Sequence, residues 1–131
     1  MIGVDTNVLV RFFTQDDPVQ SEQADALVKD LSAANPAWIG TALLLELVWV
    51  LTKIYRIDRQ SMIRILERLI DGPEFRIESA DAVYAAVGFY RRYKAGFADC
   101  LIAASARSVG CGKTVTFDKV AARDLGMELL R

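Results

Sequence analysis

Four acidic residues, Asp5, Glu46, Asp99 and Asp118, lie in or beside apolar runs: MIGVDTNVLV, TALLLELVWVL, GFADCLIAA and KTVTFDKVA. The chain has 131 residues and no histidine. An ionised carboxylate set against apolar packing is costly unless its charge is compensated. Two carboxylates about 4 Å apart repel by about 4 kcal/mol at an effective dielectric of 20. Four in one pocket therefore take up protons or bind cations. Oxygen-only donors, with no His or Cys among them, select hard ions, Mg2+ or Mn2+, over zinc. One or two such ions can clamp a phosphodiester, lower the pKa of an attacking water and stabilise the leaving oxygen.

Each acid also has a plainer reading. Glu46 is flanked by Leu43, Leu44, Leu45, Leu47 and Val48, surroundings expected of a buried position and hardest to reconcile with a surface acid. Asp5 opens Asp-Thr-Asn, which is good turn chemistry. Asp99 suits the first turn of a helix, where the dipole favours an anion. Asp118 suits a helix N-cap after a strand. Thr6 and Asn7 follow Asp5 and can orient a metal-bound water or cap a helix. Thr116 precedes Asp118 by two, so strand alternation puts both side chains on one side. Its hydroxyl can serve a metal-bound water or phosphate, or the residue simply favours the strand. The Tyr90–Lys94 stretch, YRRYK, mixes basic and aromatic groups and reads first as a solvated helix end, second as an RNA-gripping cluster. Arg11 and Lys119, near the acids in sequence, are not counted as site residues.

The missing histidine excludes Ser-His-Asp and Cys-His nucleophiles, HExxH zinc sites and a histidine pair cleaving RNA through its 2′-OH. No GxxxxGK[ST] or GxGxxG loop is present. Cys100 and Cys111 have no metal-type spacing, and Cys100 reads as an inert core residue. Apolar residues make up 53% and charged residues 25%, which is globular rather than disordered. The net charge of −1 advertises no general nucleic-acid binder, so any such contact must be local. The start carries no signal-peptide pattern, and the longest apolar stretch, Ala42 to Leu51, is too short to span a bilayer. The expectation is a cytoplasmic protein without membrane association, one domain over residues 1–131.

The elements that must position the acids alternate between strand and helix. Strands are expected at Ile2–Asp5, Trp38–Gly40, Phe75–Ile77, Lys113–Phe117 and Met127–Leu130. Helices are expected from Thr6, with Thr6 as a possible cap, to Phe13, from Asp17-Pro18 to about Ala33, and from Thr41 to about Arg56. Others run from an Asp58 cap to Gly72-Pro73, from a Ser79 cap to about Lys94, over Ala98–Val109 and over Lys119–Leu125. Such alternation argues for an α/β fold with a parallel sheet covered on both faces, and these sheets bind ligands outside the carboxyl ends of their strands. Asp5 and Asp118 end strands. Glu46 lies about one turn into a helix and its side chain leans back toward the strand ends. All four acids can thus meet at one edge.

The chain resembles a PIN-domain ribonuclease, specifically a VapC-like toxin of a type II toxin–antitoxin pair, over essentially its whole length. Val4-Asp5-Thr6-Asn7-Val8-Leu9-Val10-Arg11 resembles the family's first acidic motif, and Glu46 in Leu-Leu-Glu-Leu-Val-Trp-Val-Leu the second. Phe97-Ala98-Asp99-Cys100-Leu101-Ile102-Ala103-Ala104 resembles the third, and Thr116-Phe117-Asp118 the fourth. The resemblance implies a three-layer α/β/α PIN-like fold with a central, mainly parallel sheet of about five strands. It also implies Mg2+-dependent cleavage of RNA, with Mn2+ able to substitute, homodimerisation and inhibition by a small cognate antitoxin. Some members carry a further acid before the third motif; here the residues are Gly96-Phe97-Ala98, so the pocket holds four acids rather than five. Hydrolysis by a metal-activated water would leave 5′-phosphate and 3′-hydroxyl ends. Two rivals are a non-catalytic, metal-stabilised partner-binding module, and phosphotransfer through an aspartyl-phosphate at Asp5. Against the latter, haloacid-dehalogenase-like sites carry a second acid where this chain has Asn7.

Overall fold

A computed structural model describes all residues, Met1 to Arg131. In chain order the elements are β1 (Ile2–Gly3), α1 (Thr6–Thr14), α2 (Pro18–Asp30), β2 (Ala37–Ile39) and α3 (Thr41–Trp49). A π-helical segment (Val50–Ile54) continues α3, followed by α4 (Arg59–Asp71), β3 (Phe75–Ile77), α5 (Ala80–Arg92) and α6 (Phe97–Ser108). β4 (Val115–Thr116), α7 (Lys119–Leu125) and β5 (Glu128–Leu129) complete it. Every strand pair is parallel, and helices make the crossovers, as the α/β class requires. The five strands divide between two small sheets, ordered β1-β2-β3 and β4-β5. β3 is Phe75–Ile77 as expected and β2 has the expected three residues shifted by one, whereas β1, β4 and β5, two residues each, are shorter than the sequence pattern suggests. Lys113–Phe117, the most strand-like run in the sequence, pairs only at Val115 and Thr116.

Two compact units result, Met1–Glu78 and Ser79–Arg131. The first holds the β1-β2-β3 sheet with α1 to α4. Its core is built from Leu9, Ile39, Leu44, Leu47, Leu51, Met62 and Leu66, all essentially fully buried. The amphipathic spacing of α4 explains its share, since Met62, Ile63, Leu66 and Leu69 recur on one face. The second unit holds the β4-β5 sheet with α5 to α7. There Val83, Ala86 and Val87 of α5 and Cys100, Ala103 and Ala104 of α6 are buried, small residues that let two helices pack closely. Cys100 is the core residue its apolar context implies. No helix is long and apolar enough to cross a membrane.

Local chemistry accounts for most helix starts. Asp17 caps α2 by accepting from the Gln20 N–H at 2.9 Å, with Pro18 at the first helical position. The helix stops at Asp30, three residues before Ala33. The cap of α1 is Asp5 rather than Thr6, because the Asp5 carboxylate accepts from the Thr6 N–H at 2.8 Å. Ser79 stands at the α5 N-cap position but at φ 51°, and its side chain makes no capping bond. The long helix expected to Arg56 changes character at Val50. Thr52 Oγ1 donates back to the Val48 carbonyl at 2.7 Å, and Tyr55 N–H reaches Val50, five residues back, at 3.2 Å. A threonine hydroxyl bonded to the carbonyl four residues back often bends a helix.

Candidate active site

The first unit places Asp5 just beyond β1, at the carboxyl edge of its sheet. There it lines an open cleft of about 450 Å3 with Trp38, Gly40, Ala42, Leu43 and Glu78. One carboxylate oxygen accepts from Thr6 N–H, and α1 directs its positive end toward the group. The second oxygen is left for a ligand. Thr6 is buried and Asn7 exposed, so of these two only Asn7 offers its side chain to solvent. A Cβ at Gly40 would come within 2.7 Å of the Trp38 ring, so a larger residue there requires that exposed side chain to shift.

Glu78 is an acid that the motif reading overlooks. It follows β3 directly, as Asp5 follows β1, and strand-end position alone is the signal that singles it out. Its carboxylate accepts from the Thr41 N–H at 2.8 Å. Gly40, at the N-cap of α3, has no side chain to do this, so Glu78 satisfies the first donor of α3 from another strand.

Glu46 lies on α3 and is exposed. The expectation that its leucine neighbours enclose it is corrected by helical geometry. Leu44, Leu47 and Leu51 turn into the core, whereas Ala42, Glu46 and Trp49 share the opposite, exposed face.

In the second unit Asp99 sits in the first turn of α6 and Asp118 at the N-cap of α7. Asp99 is half-buried. Its carboxyl is pushed above the ordinary range, first by burial and then by the negative charge of Asp118. Asp118 accepts from the Ala121 N–H at 2.8 Å, and its own N–H donates to Thr116 Oγ1 at 3.0 Å. The Thr116 hydroxyl is thereby committed to orienting the Asp118 backbone. Sequence pattern places these residues together but does not show that bond.

A second overlooked residue is Asp124. It accepts from the Lys94 and Ala95 N–H groups at 3.0 and 3.2 Å. These bonds tie α7, which begins at Asp118, to the turn entering the Asp99 helix. Arg123 Nε donates to the other oxygen at 2.8 Å, and the Asp124 carboxyl is held below its usual range, chiefly by Arg123. Tyr90 of the basic–aromatic stretch is buried and packs edge-on against Phe97, so its ring offers no stacking face. Arg91 and Arg92 end α5 as exposed cations, favourable to its dipole.

The structure thus sets Asp99 and Asp118 within electrostatic reach of each other. No three acidic or thiol side chains come close enough together to hold a metal ion. The donor chemistry nevertheless fits a hard divalent cation: carboxylates only, spare oxygens on Asp5 and Asp118, and an Asp99–Asp118 repulsion that a cation would relieve.

Comparison with known proteins decides the family. The PIN domain model matches residues 2–124, nearly the whole chain. The chain belongs to the PIN-domain family. Within it, the chain is distantly similar to the VapC ribonuclease of Aquifex aeolicus (strain VF5). The two are 23% identical over 117 residues, covering 88% of this chain and 86% of that relative. The PIN match spans both compact units, two of the four acids falling in each.

Proposed function

We propose that this PIN domain is a Mg2+-dependent endoribonuclease, the toxin of a toxin–antitoxin pair, acting as one domain over residues 1–131. Asp5, Glu46, Asp99 and Asp118 are the residues that would hold the cation, and Mn2+ would substitute for Mg2+. The observation that carries this reading is the Asp99–Asp118 pair, in which burial first and the charge of Asp118 second raise the Asp99 carboxyl, in a chain of the PIN family. When bound, the ion supplies positive charge to the phosphodiester and acidifies the water that attacks it.

The protein's own groups prepare the site. Asp5 and Asp118 stand at the N-caps of α1 and α7, and Asp99 in the first turn of α6. Backbone N–H bonds from Thr6 and Ala121 fix one oxygen each of Asp5 and Asp118. Thr116 orients the Asp118 backbone, Asn7 lies exposed two residues beyond Asp5, and Thr6 acts through its N–H. RNA is the substrate and a small cognate antitoxin the inhibitor. A homodimer in the cytoplasm is the working form, a reading supported by Trp49 and Ile54, which are 56% and 61% exposed.

End-group analysis of the cleaved RNA tests the chemistry. The expected products carry 5′-phosphate and 3′-hydroxyl ends. A 2′,3′-cyclic phosphate as the main product would contradict water attack.

A further inference from the structure

An open groove of about 580 Å3 lies in the first unit, where the π-helical segment turns into α4. Arg56, Arg64 and Arg68 line it with Phe13, Tyr55 and Asp58. Three guanidinium groups and one carboxylate line the groove, and with Glu74 paired to Arg68 the local balance is still positive, in a chain whose total charge is −1. Asp58 serves the helix beside it: its carboxyl is held below the usual range chiefly by the Ser61 hydroxyl, at the N-cap of α4.

Arg56 is the distinguishing residue. Its φ is +55°, a left-handed conformation uncommon outside glycine. The Ile57 N–H returns to the Leu51 carbonyl at 2.9 Å across this turn, closing the helix end as glycine does elsewhere. Glycine would fit this turn without strain, yet an arginine stands there, and no hydrogen bond or ion pair engages its side chain. Strained backbone kept under a charged, unpartnered side chain points to a function for that side chain. Arg64 donates to the Ser61 hydroxyl at 3.0 Å and lies within electrostatic reach of Asp58. Arg64 and Arg68 are one helical turn apart on α4, so their side chains neighbour each other. Arg68 also pairs with Glu74 and lies over the Phe75 ring.

We propose that this groove, whose lining includes none of the four motif acids, is a phosphate-binding track for RNA backbone, with Arg56 and Arg64 as its principal contacts. Guanidinium groups match phosphate geometry in two-point hydrogen bonds, and Phe13 and Tyr55 border them with aromatic surface suited to bases. The choice of RNA over another polyanion rests on the nuclease reading. It gives a substrate-gripping surface to a protein whose overall charge offers none.

The test measures binding of a fluorescent single-stranded RNA in EDTA, so that cleavage plays no part, across a salt series. For Arg56→Gln/Arg64→Gln the expected result is an affinity at least tenfold weaker at low salt. The slope of log affinity against log salt should fall by about 1.4, or 0.7 per lost contact. Arg56→Lys/Arg64→Lys keeps the slope. An unchanged slope in the Gln variant overturns the proposal, as does displacement of RNA by polyglutamate at matched charge, which would assign the groove to an acidic polypeptide. Phenylglyoxal modification of Arg56 and Arg64 in the unmutated chain gives the same decision without a variant: RNA slows it, or the proposal fails. Cleavage is scored separately, so a protein that binds through these arginines without cutting overturns the nuclease reading alone.

Discussion

Asp99 is the residue whose surroundings work against its charge. A carboxyl raised above its usual value of 3.8 favours folding fully at pH values below that figure. The contribution is lost as pH rises through the folded-state value. At neutral pH the ionised group is therefore a destabilising element, and its relief should be measurable. Asp99→Asn is expected to raise the thermal midpoint at pH 7, by a few degrees for each kcal/mol relieved. The gain should shrink as the pH is lowered through the folded-state value. An equal gain at every pH would remove the electrostatic explanation. Mg2+ is expected to raise the midpoint of the unmutated protein more than that of Asp99→Asn. At this scale the sequence was informative about identity and misleading about burial. The acids stand out because of their apolar neighbours in sequence, yet a helix turns those neighbours away, as Glu46 demonstrates. Glu78 and Asp124 escaped notice for the opposite reason. Their partners, Thr41 and the 94–95 turn, are distant in sequence, and no local pattern marks such bonds.

Elements whose limits depend on neighbouring residues were the most legible. Asp17-Pro18 starts α2, and Gly72 and Gly126 end α4 and α7, each by chemistry confined to a few positions. The π-helical segment could not be read because no local residue pattern marks the change to five-residue backbone bonds. The sheets could not be divided from sequence because pairing depends on which strands meet, and these strands are very short. The link between α7 and the turn before α6 depends on Asp124, whose carboxyl is held below 3.8. A lowered value contributes stability above the unfolded pKa that is lost as pH falls through the folded one. Asp124→Asn should therefore melt below the unmutated protein at pH 7, with the two curves converging in acid. The same variant should weaken Mg2+ binding if that turn positions Asp99. Unaltered melting and unaltered Mg2+ binding would leave Asp124 without a positioning role.

For the whole molecule, the order of the acidic motifs was legible because each motif is local and the PIN pattern extends over residues 2–124. Two compact units each carry two of the acids, a division that no sequence motif marks. All four are proposed to serve one cation-dependent reaction on RNA. The direct measurement is the rate of RNA cleavage by the unmutated chain in Mg2+ and in EDTA, beside Asp5→Asn, Glu46→Gln, Asp99→Asn and Asp118→Asn. Each amide variant should lose at least a hundredfold in rate, as should the unmutated chain in EDTA, whichever unit carries the change. Full-rate cleavage by any one variant, or cleavage that survives EDTA, would contradict this proposal.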